Sequence, residues 1–197
     1  MPFCSTRNLP LLARCLGFAL AVFALPLDLA QAQQAAPKPA AAPPVSAEPS
    51  ATTASFGDWV LRCQRLAADK PERACEVSQT MQVQGQSAPV AQFAIGRIGK
   101  GAQLRATAVV LPNLSFPSSL LASVEKDPSS LELTWRRCLP GGCVADLAVS
   151  DDQLKRWRTT SERGRLTFKD AAGREIAIPL SFQGLGPALD ALAKEAL

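Results

Sequence analysis

The chain has 197 residues and a formal net charge of +4, with its basic residues spread along the sequence, as expected for one folded domain plus a targeting segment. It contains no histidine and no tyrosine. The composition therefore excludes Ser–His and Cys–His nucleophile pairs and histidine metal ligands, and the dispersed charge argues against a nucleic-acid-binding surface.

The N-terminal segment, residues 1–32, has the three parts of a secretory signal peptide. Arg7 and Arg14 supply positive charge, and Leu16 to Leu27 is an apolar run of about the usual 7–15 residues. Ala30-Gln31-Ala32 matches the small-x-small pattern of a cleavage site. The sequence therefore predicts export, cleavage after Ala32, and a periplasmic or cell-envelope location.

Residues 33–55 are rich in alanine, proline and serine and have almost no large apolar side chains. Such a segment cannot bury enough apolar surface to offset the entropy lost on ordering. The sequence predicts a disordered Ala/Pro-rich tether over 33–55 and a folded domain over 56–197.

Alternation of apolar and polar residues predicts four strands in the first half of this domain. They are Asp58–Cys63 with Trp59 and Leu61 inward, a strand bearing Val77, Met81 and Val83, the segment Val90–Ile98 with Phe93 and Ile95 on one face, and a strand bearing Leu104, Ala106, Ala108 and Val110. Two prolines, Pro112 and Pro117, predict an irregular segment after them.

The second half of the domain adds helices to strands. Ser150-Asp-Asp-Gln153 is a capping-box pattern that predicts a helix start, with Leu154 and Trp157 packing on the sheet. Strands are predicted at 165–169 and 175–182, and a short helix follows Gly186-Pro187. Because strands dominate, we expect a mainly β fold, a β-sandwich with one or two short peripheral helices.

The segment Cys138-Leu-Pro-Gly-Gly-Cys143 predicts a tight turn between two strands. Cys4 and Cys15 lie in the predicted signal peptide, so four of the six cysteines remain in the mature chain. An even number in an exported chain favours disulfides. Of the three pairings, we favour Cys63–Cys75 with Cys138–Cys143, because each pair flanks a predicted turn.

An ordered set of motifs spans the predicted domain: Gly57-Asp-Trp59 before Cys63, then Cys75, the segment 138–143, and Pro179-Leu-Ser-Phe-Gln-Gly184 before a terminal Ala/Leu helix. In this order the chain resembles the invasion-associated locus B family of exported bacterial proteins. The resemblance implies a periplasmic or envelope-associated β-sandwich without an assigned catalytic site. It transfers no functional residues, and a role in host-cell invasion would apply only in a pathogen.

The leading hypothesis is a non-enzymatic envelope protein that binds a protein partner or maintains the envelope. The adjacent carboxylates Asp151 and Asp152 begin a predicted helix, where acids usually interact with the helix dipole. The sequence accordingly predicts no catalytic residue, no cofactor and no metal ligand. The expected partner is an envelope or extracellular protein, with no nucleic acid and no transmembrane span, and peripheral membrane association is compatible with this hypothesis.

Two alternatives use the cysteines chemically. A thiol–disulfide protein would use Cys138 and Cys143, although catalytic pairs are usually Cys-x-x-Cys at a helix N-terminus. A zinc site would use all four cysteines, although the spacing of Cys63 and Cys75 is too wide for a usual zinc knuckle.

Overall fold

A computed structural model describes residues 49–67, 72–83, 85, 88–98, 101–126 and 130–195. They form ten strands and two helices: β1 Ala51–Phe56, β2 Trp59–Arg65, β3 Arg73–Met81, β4 Ala91–Ile98, β5 Arg105–Val110, β6 Ser119–Val124, β7 Ser130–Leu139, β8 Gly142–Ala148, α1 Asp151–Lys155, β9 Gly164–Lys169, β10 Glu175–Leu180 and α2 Leu185–Glu195. The predicted mainly β fold is confirmed. The predicted signal peptide and residues 33–48 of the predicted tether lie outside the described residues.

All ten strands belong to one antiparallel sheet, in the order β1-β2-β3-β4-β5-β8-β7-β6-β9-β10. The sheet is strongly curved: Ser181, just after β10 at one end of the strand order, lies within hydrogen-bond distance of Gln79 in β3, near the other end. Curvature of this kind is how a large twisted sheet covers its own apolar face. Opposite parts of a single sheet thus face each other across one core, as the two layers of a sandwich do.

The core is centred on four aromatic rings. Trp59 contacts Phe93 edge-on at 6.3 Å between ring centroids, Phe93 lies 6.0 Å from Trp157, and Trp157 lies 5.0 Å from Phe182. Each such pair is worth about 0.5–1.5 kcal/mol beyond the burial of its area. The predicted inward position of Trp59 and the predicted packing of Trp157 on the sheet are confirmed, since both are almost fully buried, as is Phe93.

Both predicted helices are present. Ser150 caps α1 through the expected reciprocal bonds: the backbone N–H of Gln153 donates to Ser150 Oγ, and that of Ser150 donates to Gln153 Oε1. Helix α2 packs on β1, β2 and β3 through Leu185, Leu189 and Leu192, which are buried. No helix in the described part of the chain is long and apolar enough to cross a membrane.

Two strands were not predicted. Strand β1 occupies Ala51–Phe56, inside the range predicted as tether, because it pairs along its length with β2 and needs no large side chains for that ladder. The sheet therefore begins before Phe56. Strand β6 carries Leu120, Ala122 and Val124 inward, an alternation that the apolar Leu121 between them and the preceding Pro117 obscured.

A β-bulge interrupts the hairpin of β7 and β8. Trp135 pairs with Ala145 and Arg137 with Val144, so Arg136 is an extra residue on β7. An extra residue reverses the in–out parity of the strand after it. Cys138 is thereby directly opposite Cys143, whereas a regular strand would place it on the face opposite to Trp135.

Candidate functional site

The buried side chain of Gln79 connects the motif 57–59 to the motif 179–184. Gln79, 7 % exposed, accepts a hydrogen bond from Ser181 N at 2.9 Å and donates through Nε2 to the carbonyl oxygens of Asp58 (3.3 Å) and Ser181 (3.4 Å). Ser181 Oγ donates to Asp58 Oδ2 at 2.6 Å. We call Asp58, Gln79 and Ser181 the latch, because they join β3 and the β1–β2 turn to the end of β10.

Two further hydrogen bonds, one from the Trp59 ring and one from the Asp58 backbone, reinforce the latch. Trp59 Nε1 donates to the carbonyl oxygen of Ser181 at 3.0 Å, and Asp58 N donates to that of Gln183 at 3.1 Å. A Cβ on Gly57 would lie 2.7 Å from Gln183 O, and Gly57 has a φ of +57°. Glycine is therefore needed where the two segments approach each other, and the motifs 57–59 and 179–184 form one structural unit.

A cleft of about 1000 Å³ opens beside the latch, lined partly by the segment 158–165. Its charges are mixed: Arg158, Arg163 and Arg165 line it together with Asp58, Glu125 and Glu162. Arg158 is already held by Asp190 at 2.6 Å. The sequence has no histidine, so no Ser–His or Cys–His pair can form in the cleft, and the Asp58 carboxylate accepts the hydrogen bond of the Ser181 hydroxyl.

The predicted disulfides Cys63–Cys75 and Cys138–Cys143 are both present. Each joins residues directly opposite one another in a hairpin, with Cα atoms 4.1 Å and 3.9 Å apart. Their surroundings differ. Cys63 is fully buried and Cys75 is 6 % exposed, whereas the second bond joins buried Cys143 to Cys138 on the surface.

This pairing contradicts the four-cysteine zinc alternative, since a zinc site needs thiolates and these sulfurs are oxidised in pairs. Glu195 does lie close to the sulfurs of Cys63 and Cys75. Its carboxylate, however, pairs with Arg73 at 3.4 Å, so the arrangement ties α2 to β3.

The carboxyl group of Asp170 has a lowered pKa. Hydrogen bonds from the Arg174 side chain and backbone, together with the Ala172 amide, lower the pKa of Asp170 below its ordinary value, against the opposing effect of burial. Asp170 Oδ1 accepts from the amides of Ala172 and Arg174 at 2.9 Å each, and Oδ2 accepts from Arg174 Nε at 2.8 Å. The carboxylate thus holds the β9–β10 turn together, a structural role.

The carboxylates predicted to cap a helix lie at the start of α1, where Asp151 also pairs with Arg158 at 3.5 Å. Sequence reasoning missed Gln79 and Asp170. For Gln79 a signal existed, because it occupies an inward position between Val77 and Met81 in β3. Asp170 follows a strand and precedes Gly173, a position typical of a side chain that bonds turn amides.

Comparison with known proteins identifies a family and a solved structure of similar fold. The model of the family "Invasion associated locus B (IalB) protein" matches residues 59–193. The crystal structure of invasion-associated protein B from Bartonella henselae is similar in fold, with a TM-score of 0.61 and 16 % identity, covering 73 % of this chain and 97 % of that one. No curated protein matches the sequence.

Proposed function

Because the chain belongs to the Invasion associated locus B (IalB) protein family, we propose that it is a non-enzymatic exported envelope protein that acts by binding another protein. The observation that carries the proposal is the latch. Asp58 and Ser181, which belong to the motifs 57–59 and 179–184, bond to each other and to Gln79, so their polar groups are engaged in holding β10 against β3.

The cysteines support the same proposal. Cys63, Cys75, Cys138 and Cys143 form cross-strand disulfides, which persist in oxidising compartments such as the periplasm. Together with the predicted cleavage after Ala32, this favours a periplasmic or envelope-associated protein. An intact mass of the exported protein that still included Met1–Ala32 would contradict the export step.

The binding function is tested by photo-crosslinking the full-length chain in intact envelopes. We expect one partner protein to be recovered reproducibly with the native chain and lost when both disulfides are reduced and the domain is unfolded. The absence of any reproducible partner would contradict the proposal.

Thiol–disulfide exchange is the second candidate, and the exposure of Cys138 favours it. An attacking thiolate could reach this sulfur, whereas Cys63 is fully buried. A structural disulfide of an exported protein has a reduction potential below about −300 mV, and catalytic pairs have higher values. Measurement of the Cys138–Cys143 potential against glutathione therefore separates the two functions.

A further inference from the structure

Strand β10 is the last strand of the sheet, with β9 as its neighbour. Asp170 N donates to the carbonyl oxygen of Arg174 at 2.9 Å, so residues 170 and 174 form a hydrogen-bonded pair of this hairpin. Hydrogen-bonded pairs alternate in antiparallel strands, so residues 176, 178 and 180 bond to β9. Glu175, Ala177 and Pro179 therefore direct their backbone groups toward the free edge.

An apolar groove of about 610 Å³ runs along this edge. Half-buried Ile176 and Ile178 line one side, and Val83 and Leu111, 50 % and 49 % exposed, line the other. We call these four residues the edge groove. The latch holds the end of β10 against β3 at Ser181, and the groove lies between that point and the β9–β10 turn.

The ion pair of Arg174 and Asp170 lines the groove beside the β9–β10 turn. Arg174 is 74 % exposed, whereas its partner Asp170 is 6 % exposed and accepts hydrogen bonds at both oxygens. The cation therefore faces solvent, where it could also bind a carboxylate of a ligand.

We propose that the free edge of β10 and the edge groove bind an extended peptide segment of an envelope or extracellular partner, with apolar side chains at alternate positions and a carboxylate beside Arg174. The inference rests on the proposed function and specifies its surface. Side chains of an added strand point alternately to the two faces, so every second residue would enter the groove.

Two features restrict the bound segment. Pro179 has no N–H, so an added strand can form its full ladder only at Glu175 and Ala177, which favours a short segment over a long sheet edge. The opposite end strand, β1, contains only alanine, threonine and serine before Phe56 and has no comparable row of large apolar residues. The charge, the apolar lining and the free backbone groups coincide at β10.

The test uses the full-length oxidised chain as bait for a phage-displayed library of random octapeptides with a free carboxyl end. We expect selected peptides to carry apolar residues at alternate positions and to lose affinity when their terminal carboxylate or acidic side chain is converted to the amide. The variant Ala177→Pro removes the central outward N–H without removing a bond to β9. It should weaken the selected peptides at least about tenfold, the equivalent of one backbone hydrogen bond, while Ala177→Val should not.

A second pair of variants does not depend on the backbone. Val83→Asp places a charge in the edge groove and should abolish binding, whereas Ile98→Asp, at a 67 % exposed position outside the groove, should leave it unchanged. Failure to select any peptide, or binding by Ala177→Pro or Val83→Asp as tight as binding by the native chain, would overturn the inference.

Two other occupants give distinct results. Dimerisation of the native chain that Ala177→Pro abolishes would assign the edge to a second copy. Protection of the Ala177 amide from hydrogen exchange in the free chain would assign it to the chain itself. Either result overturns the inference. If Ala177→Pro still recovers the crosslinked envelope partner, the binding function stands and only its assignment to this surface falls.

Discussion

Two hairpins of the sheet each contain a cross-strand disulfide, one in the core and the other partly on the surface. Cys63–Cys75 joins β2 to β3 inside the core and beneath α2, whose Glu195 pairs with Arg73 on the same strand. Cys138–Cys143 joins β7 to β8 at their turn, with Cys138 on the surface. The first bond is therefore also a pair of buried apolar side chains, and the second is mainly a constraint on one turn.

The difference indicates how stability is distributed. The β2–β3 hairpin is fixed by the disulfide, by α2 and by the latch, and these act on strands that face one core. The β7–β8 hairpin ends among exposed apolar residues, including Leu139 at 52 % exposure. We expect the first region to open only with the whole domain and the second to open locally.

The largest effect is expected for Cys63→Ala with Cys75→Ala. The bond closes a 12-residue separation, which corresponds to about 3 kcal/mol in the chain-entropy model, and the lost sulfurs also leave space in the core. Urea unfolding followed by tryptophan fluorescence should show this loss in the free energy of unfolding. A loss smaller than that of the other cysteine pair would invalidate the contrast between the two hairpins.

Cys138→Ala with Cys143→Ala is the matched variant. A separation of five residues corresponds to about 2 kcal/mol, and the exposed sulfur contributes little burial. We expect faster hydrogen exchange confined to the end of the β7–β8 hairpin, with the amides of β2 and β3 unchanged. Exchange that accelerates throughout the sheet would show that this bond also supports the core.

Gln79→Ala should cost less than either cysteine pair. It removes the acceptor of Ser181 N and the donor to the Asp58 carbonyl oxygen. Because Ser181 is half-buried and Asp58 is exposed, water can replace these partners, and the expected loss is about 1 kcal/mol. Gln92→Ala, on the outward side of β4, is the control and should be almost neutral. A neutral Gln79→Ala would mean that the latch does not contribute to holding β10 against β3.

The sequence contained enough information for the strands that alternate clearly and for the local disulfides, because both depend on residues close in the chain. It did not predict the bulge at Arg136. The alternation of β7 predicts a regular strand, which would put Trp135 and Cys138 on opposite faces of the strand. Nor did it predict the latch, which joins Gln79 to Ser181 across 102 positions. Strand β1 was missed because its stability comes from pairing with β2. The composition of β1 alone does not reveal that pairing.

The smallest effect concerns the β9–β10 turn and depends on pH. The folded pKa of Asp170 is lowered from 3.8, so its contribution to stability is complete above that value and is lost as the pH falls through the lower folded pKa. Asp170→Asn keeps an acceptor for the turn amides but removes the charge beside Arg174. The variant should therefore be less stable than the native chain at neutral pH, and the difference should shrink below about pH 4. Urea unfolding at several pH values measures this, with Asp151→Asn as a control that changes the net charge equally. A difference that grows on acidification would contradict the assignment, because it would mean that the folded state binds the proton more tightly than the unfolded chain does.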